Sequence, residues 1–354
     1  MLSKKPAYYA LDKKSVVIDD EAATIAGTLS TWHVSNDDIA VELDMTLTFY
    51  QNGIMRALFE EPDSRRFRIS QEGLPVVDEQ LHTVENLTRK SQVTDDHIEV
   101  SGLDHQLGDE TFTYRIWFDH FKIEQIDKDG DVTMVINPKD TLYVEHQNAS
   151  KLQMYLSEED ETGYEWPGQV KEGVGLGFFV PTKNLFGLGE REDTLNLKTT
   201  SDRSPYQLFA TDKPHHPDNP CPLYGSVPFI HGVSTDKSAG LAWVNSAHTW
   251  VYIYDDTYDS AEGSHISFVS ESGALELFVF ASAAPSGAEM NHAKRVNNAI
   301  STISGFAPLP QLQTLGFHFS KWAPVSTDIM MQRNKDFTDN GFPVDVFWMD
   351  ILWA

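Results

Sequence analysis

PLPQLQTLGFHFSKWAPVSTDIMMQRNKDFTDNGFPVDVFWMDILWA, from Pro308 to Ala354, reads as one β-α-β unit. Side chains alternate across a strand, so Val344, Val346, Trp348 and Asp350 fall on one face of the second run, and Phe347, Met349 and Ile351 on the other. In the first run Thr314, Gly316 and His318 share a face opposite Leu315, Phe317 and Phe319. An apolar outer face suits packing against helices. A mixed inner face with a polar group at its C-terminal end suits the mouth of a (β/α) barrel. Between the runs, Ser326 or Thr327 can cap a helix from Asp328, whose charge favours the positive helix end. Met330, Met331 and Phe337 form its apolar stripe, while Gly341 and Pro343 stop it.

Working upstream, residues 35 to 285 are dominated by strand patterns. Val41, Leu43, Met45, Leu47 and Phe49 alternate with polar residues, Asn52-Gly53 turns the chain, and Met55, Ala57 and Phe59 alternate back. Asn-Gly between alternating runs is a strong hairpin signal. Phe112, Tyr114, Ile116 and Phe118 repeat the pattern before an Asp129-Gly130 turn and the run Val132 to Ile136. Leu241 to Ile253 and Leu275 to Phe280 are also strand-like. Many alternating strands and little helix predict a large antiparallel β-sandwich. A helix is expected over about Ser286 to Ser301, with Val296, Ala299, Ile300 and Ile303 on its apolar side and Gly305 at its end. The expected division is an N-terminal extension over 1–20, the sandwich over 21–304, and the beginning of an incomplete (β/α)8 TIM barrel over 305–354. Six of the 17 prolines lie between Pro205 and Pro228, predicting a long, semi-rigid loop.

Several segments in this order resemble glycoside hydrolase family 31. LPQLQTLGFHFSKW with PVDVFWMDI is similar to the opening of that family's catalytic barrel. LFGLGEREDTLNLKTT (Leu185 to Thr200), SPYQLFATD (Ser204 to Asp212) and PLYGSVPFIHG (Pro222 to Gly232) resemble its N-terminal domain. The likeness implies a galactose-mutarotase-like sandwich and a retaining α-glucosidase trimming glucose from N-linked glycans. It also implies the endoplasmic-reticulum lumen, a β-subunit partner and no cofactor. A general α-glucosidase, an α-xylosidase, or a non-catalytic carbohydrate-binding truncated product are the alternatives.

The resemblance carries substrate contact onto Asp350, Ile351 and Asp212. Asp350 reads either as a sugar ligand or as an acid capping the next loop, and Asp212 either as a substrate contact or as an Asx turn. Trp322 offers an apolar face to a sugar or packs under a loop. His318 is a hydrogen-bond partner at the barrel mouth or an inward core histidine. Leu352 stands where the family usually has a carboxylate, Lys321 where it often has arginine, and Pro214 where it has an aromatic. The family's nucleophile segment and its general acid match nothing here, so no catalytic residue is assigned. The chain is expected to be a fragment that is inactive alone, with unpaired strand edges.

Composition narrows the rest. Hydrophobic content of 40% with 11% aromatics describes a globular protein. A formal charge of -26 argues against nucleic acid, and no apolar run is long enough to span a membrane. Cys221 is the only cysteine, so no intrachain disulfide can form. The N-terminus shows no secretory signal. Asn86-Leu-Thr and Asn148-Ala-Ser are glycosylation sequons. Asp127, Asp129 and Asp131 mimic the start of a calcium loop, but Gly130 is out of register and no terminal glutamate follows, which favours a hairpin turn. Adjacent His215 and His216 diverge in an extended segment and make a poor metal pair.

Overall fold

A computed structural model describes residues 8–32, 40–64, 66–69, 81–104, 111–145, 172–213, 219–283, 291–323 and 325–353. Asn148, Pro214, His215 and His216 lie outside them. The chain forms two compact units, Met1–Ser304 and Gly305–Ala354.

The first unit is a two-sheet antiparallel sandwich. One sheet runs β1 (Ala10–Leu11), β3 (Thr24–Trp32), β4 (Ala40–Phe49), β5 (Met55–Glu60), β21 (Leu275–Ala283), β18 (Lys237–Trp243), β17 (Phe229–Val233), β13 (Leu185–Gly187), with β2 (Val17–Asp19) also on β3. The other begins β15 (Tyr206–Leu208), β19 (Thr249–Tyr258), β20 (Ala261–Ser270), β12 (Val174–Val180) and β10 (Val132–Ile136). It continues β9 (Ile123–Ile126), β8 (Thr111–Trp117), β7 (His97–Asp104) and β6 (Ser91–Val93), with β11 (Tyr143–Val144) on β12. A two-stranded ribbon pairs β14 (Arg191–Glu192) with β16 (Asn219–Pro222).

The alternating residues face inward as their pattern requires. Leu43, Met45, Leu47 and Phe49 on β4, and Met55, Ala57 and Phe59 on β5, are fully buried in one core with Tyr114, Phe178 and Phe268 of the other sheet. Rings meet edge to face across the layers, Phe49 on Tyr114 at 5.5 Å and Phe178 on Trp243 at 6.4 Å. Two of the buried polar tips are partnered in the core: Tyr114 donates to the Gly53 carbonyl at 3.0 Å, and the Trp243 indole donates to Ser270 at 2.9 Å. Between β4 and β5 the chain makes a one-turn 3-10 segment, Gln51–Gly53, in place of a tight two-residue turn. Gly53 has φ 69°, and a Cβ there would stand 2.9 Å from the Phe112 ring. The Asp127 turn is a hairpin: its carboxylate accepts from the Asp129 and Asp131 amides and pairs with Lys237 at 2.7 Å.

One sequence expectation fails here. Residues 8–20 are not an extension, because Tyr9 and Leu11 are buried and β1 and β2 both pair with β3. The helix α1 (Asn291–Ser304) ends three residues beyond the expected Ser301, and its expected start at Ser286 lies outside the described residues. Val296 and Ile303 pack on Phe278, Phe280 and Ala242, the outer face of the first sheet. Gly305 follows with φ 85°, the left-handed stop expected after a helix.

The second unit is the β-α-β: β22 (His318–Phe319), α2 (Thr327–Asp339) and β23 (Val346–Phe347), the strands parallel with His318 opposite Val346. Ser326 caps α2 by accepting the Ile329 amide, and Gly341 stops it at φ 70°. Phe337 of α2 packs against Phe317, Phe319 and Phe347 at centroid distances of 5.0 to 6.0 Å, so the predicted apolar face does meet the helix. Thr314 is not in the strand. Leu312–Leu315 is a 3-10 turn, and the Asp345 carboxylate takes the Phe317 amide at 2.9 Å, which delays pairing until His318.

Candidate substrate-binding site

In the β-α-β unit Trp322 and Asp350 both follow the C-terminal ends of the paired strands, whereas His318 lies within them. The strands are parallel, so the segments leaving Phe319 and Phe347 emerge on the same side. Trp322 and Asp350 each lie three residues beyond the last paired position. The Val325 amide donates to the Leu352 carbonyl at 3.4 Å, tying the two segments together. Asp350 is exposed, and its Oδ1 accepts the Ile351 amide at 2.7 Å. Its Oδ2 has no hydrogen-bond partner among the described residues. Trp322 and Ile351 are each 71% exposed.

His318 is engaged on both nitrogens. The Trp348 indole N–H donates to its Nδ1 at 2.9 Å, and its Nε2 stands 3.1 Å from the Thr314 carbonyl. A nitrogen accepting from an indole carries no proton, so Nε2 is the protonated one and donates to Thr314. His318 is thus neither buried in a core nor free to address a ligand in this unit. It holds the Trp348 ring, which the strand alternation placed on the same face but which was not singled out as functional.

The proline-rich loop is a built arm on the sandwich. Arg191 anchors its base: the guanidinium lies 4.7 Å over the Tyr206 ring and donates to the Leu188 carbonyl. Burial lowers the Arg191 pKa to about 10, which keeps it cationic at neutral pH. Glu190 exchanges backbone bonds with Gly225 and Leu223, and its carboxylate takes the Gly225 amide at 2.9 Å. The Thr211 amide donates to the Leu223 carbonyl at 2.8 Å, which presents Asp212 next to Tyr224. Tyr224 O–H donates to Asp212 Oδ1 at 2.6 Å, and both side chains are exposed. Within the stretch expected from its prolines to be a long, semi-rigid loop, β14 pairs with β16 and Tyr224 contacts Asp212, while residues 214–218 lie outside the described residues.

Residues 44–251 match the glycosyl hydrolase 31 N-terminal galactose mutarotase-like domain. The chain belongs to that family. It is 28% identical over 259 residues to glucosidase 2 subunit alpha of Schizosaccharomyces pombe, covering 69% of this chain and 27% of that protein. To human neutral alpha-glucosidase AB it is 30% identical over 198 residues, covering 51% and 20% respectively. It therefore spans about a quarter or less of the length of these relatives. A crystal structure of a glucosidase II alpha subunit bound to alpha3-Glc2 superposes with a TM-score of 0.79 at 22% identity, covering 99% of this chain and 40% of that one. A glucosidase II complex of a catalytic subunit with the binding domain of a regulatory subunit gives 0.78 at 23%, covering 100% and 40%. These likenesses show the fold, mainly antiparallel β, with a β-α-β unit consistent with the start of a barrel.

Among the described residues no group of three or more His, Cys, Asp or Glu could hold a metal ion, and no helix is long and apolar enough to cross a membrane.

Proposed function

We propose that this chain is the N-terminal portion of a retaining α-glucosidase that removes glucose from N-linked glycans. The observation that carries the reading is the carboxylate of Asp350, exposed and with one oxygen unengaged among the described residues, just beyond the common end of two parallel strands, in a chain that carries this family's N-terminal domain. In this reading Asp350 accepts hydrogen bonds from hydroxyls of the terminal glucose, and Ile351 and Trp322 face its apolar C–H surface; Asp212, on the arm of the first unit, is proposed separately as a substrate contact. His318 acts at one remove, by orienting Trp348. Retention requires two further carboxyl groups about 5 Å apart, one attacking the anomeric carbon and one protonating the leaving oxygen. Asp350 takes neither role. The relatives named glucosidase 2 subunit alpha and neutral alpha-glucosidase AB support this assignment, as does the structural neighbour solved with Glc1Man2. A regulatory β-subunit and the endoplasmic-reticulum lumen belong to the same proposal.

The test is to recover the complete coding sequence, express its product, and assay glucose release from an aryl α-glucoside and an α1,3-linked glucose disaccharide. Turnover is expected. Asp350→Asn is expected to reduce kcat/KM at least about a hundredfold, the loss of charged hydrogen bonds to a substrate hydroxyl. Absent turnover in the complete product, or an Asp350→Asn variant with unchanged kcat/KM, would overturn the assignment.

A further inference from the structure

Asn86 stands at the head of a single helical turn, Leu87–Lys90, in the left-handed conformation, with φ 55° and ψ 45°. An asparagine in that place ordinarily spends its side chain on an amide of the first turn. This one makes no such cap bond, because capping calls for an extended backbone. The Asp20 carboxylate takes the Thr88 amide instead, at 2.6 Å. The Asn86 carbonyl accepts from the Arg89 and Lys90 amides at 3.0 and 3.3 Å, and Leu87, fully buried, pins the turn to the core. The turn is thus held by other groups than the Asn86 side chain. Asn86 and Thr88 are both exposed, with a leucine and not a proline between them. The Asn-Leu-Thr sequon is therefore open to solvent in the folded chain.

Its position is a corner at which both sheets have a free edge. Asp20 directly follows β2, which among the described residues pairs only with β3. The helical turn runs straight into β6, which among the described residues pairs only with β7. Each edge carries an exposed valine, Val17 on β2 at 60% and Val93 on β6 at 48%. An open edge with an apolar side chain invites pairing with another chain, and charge is the usual guard. β6 itself, Ser91-Gln92-Val93, carries no charge, and the adjoining Lys90 is turned onto the Gly102 carbonyl.

We propose that Asn86 is an N-glycosylation site whose glycan shields the corner formed by β2 and β6. Nδ2 attacks the anomeric carbon of a lipid-pyrophosphate-linked oligosaccharide. A C–N bond forms, the bond from that carbon to the pyrophosphate oxygen breaks, Nδ2 loses one proton, and the lipid pyrophosphate leaves. The proposal rests on the lumenal placement within the proposed function and adds a covalent modification to it. Asparagine also suits a positive φ for conformational reasons alone. Glycine suits it equally, so Asn86→Gly removes the acceptor and keeps the backbone.

The complete gene product is expressed in a eukaryotic host and its peptides are mapped by mass spectrometry before and after peptide-N-glycosidase in heavy-oxygen water, which separates Asn86 from Asn148. A glycan on Asn86 is expected. Asn86→Gly and Thr88→Ala are each expected to lose it and to aggregate faster by light scattering, whereas Thr88→Ser keeps both glycan and solubility. Lumenal, glucosidase-active protein with a bare Asn86 overturns the proposal and leaves the proposed function intact. A glycan on Asn86 in a product without glucosidase activity supports the proposal and refutes that function. A product confined to the cytosol overturns the proposal whatever its activity. Solubility unchanged by both glycan-removing substitutions overturns the shielding role.

Discussion

Lowering the pH will loosen the seat of α1 through His231. This imidazole sits on β17 opposite Gly240, on the sheet face that α1 covers. It is buried, its Nε2 has no hydrogen-bond partner among the described residues, and neighbouring His292 of α1 adds a second imidazole. Burial, and then the His292 charge, lower its pKa to about 4 from 6.5. The unfolded chain takes up a proton near pH 6.5, whereas the folded chain resists it until near 4. The stabilisation is therefore complete above about pH 6.5 and disappears as the pH falls to about 4. Each decade of proton affinity is worth about 1.4 kcal/mol, which makes the loss at pH 4 about 3 kcal/mol. Urea unfolding of the native chain and of His231→Phe at pH 7, 5.5 and 4.5 isolates this contribution. The variant keeps the ring volume without a titrating group, and its stability will fall less steeply by up to that amount. Equal pH dependence in the two proteins would refute the reasoning, as would an NMR titration placing the His231 pKa near 6.5.

Two further outcomes follow from side chains with unusual surroundings. Arg66 is buried, bonded to Glu61 at 3.0 Å and to the carbonyls of Glu145, Glu172 and Gly273. A lysine cannot reproduce that fork, so Arg66→Lys will lower unfolding stability by about 3 kcal/mol or more in urea titration; a loss below 1 kcal/mol would contradict the assigned role. Long-range 1H–15N spectra will show His318 as the Nε2–H tautomer, and Trp348→Phe will let both tautomers appear, whereas a native Nδ1–H form would refute the Trp348 hydrogen bond.

Much of the sandwich was legible because burial imposes a period of two. Leu43 to Phe49, and Phe112 to Ile116, can satisfy their inward faces in only one register. The helix face of the β-α-β unit was equally plain, since Phe317, Phe319 and Phe347 share a parity and Phe337 is the large apolar residue able to meet them. Alternation fails where a side chain competes for backbone. Asp345 takes the Phe317 amide and keeps Thr314 out of the strand. Residues 8–20 carry too short an apolar pattern to announce two edge strands, although pairing with β3 makes Tyr9 and Leu11 part of the core. At the candidate site, Asp350 and Trp322 could be placed from strand ends. Trp348 could not be distinguished from packing until its indole was seen on His318.

The placement of α1 fixes where the polypeptide can be divided. Although it follows the last long strand in sequence, Val296 and Ile303 roof Phe278, Phe280 and Ala242. A protein trimmed after Ala283 would leave that oily plateau open to water and prone to clumping. One ending beyond Gly305 would carry its own cover, and genetic fusions or crystallisation boundaries belong on that side of the glycine.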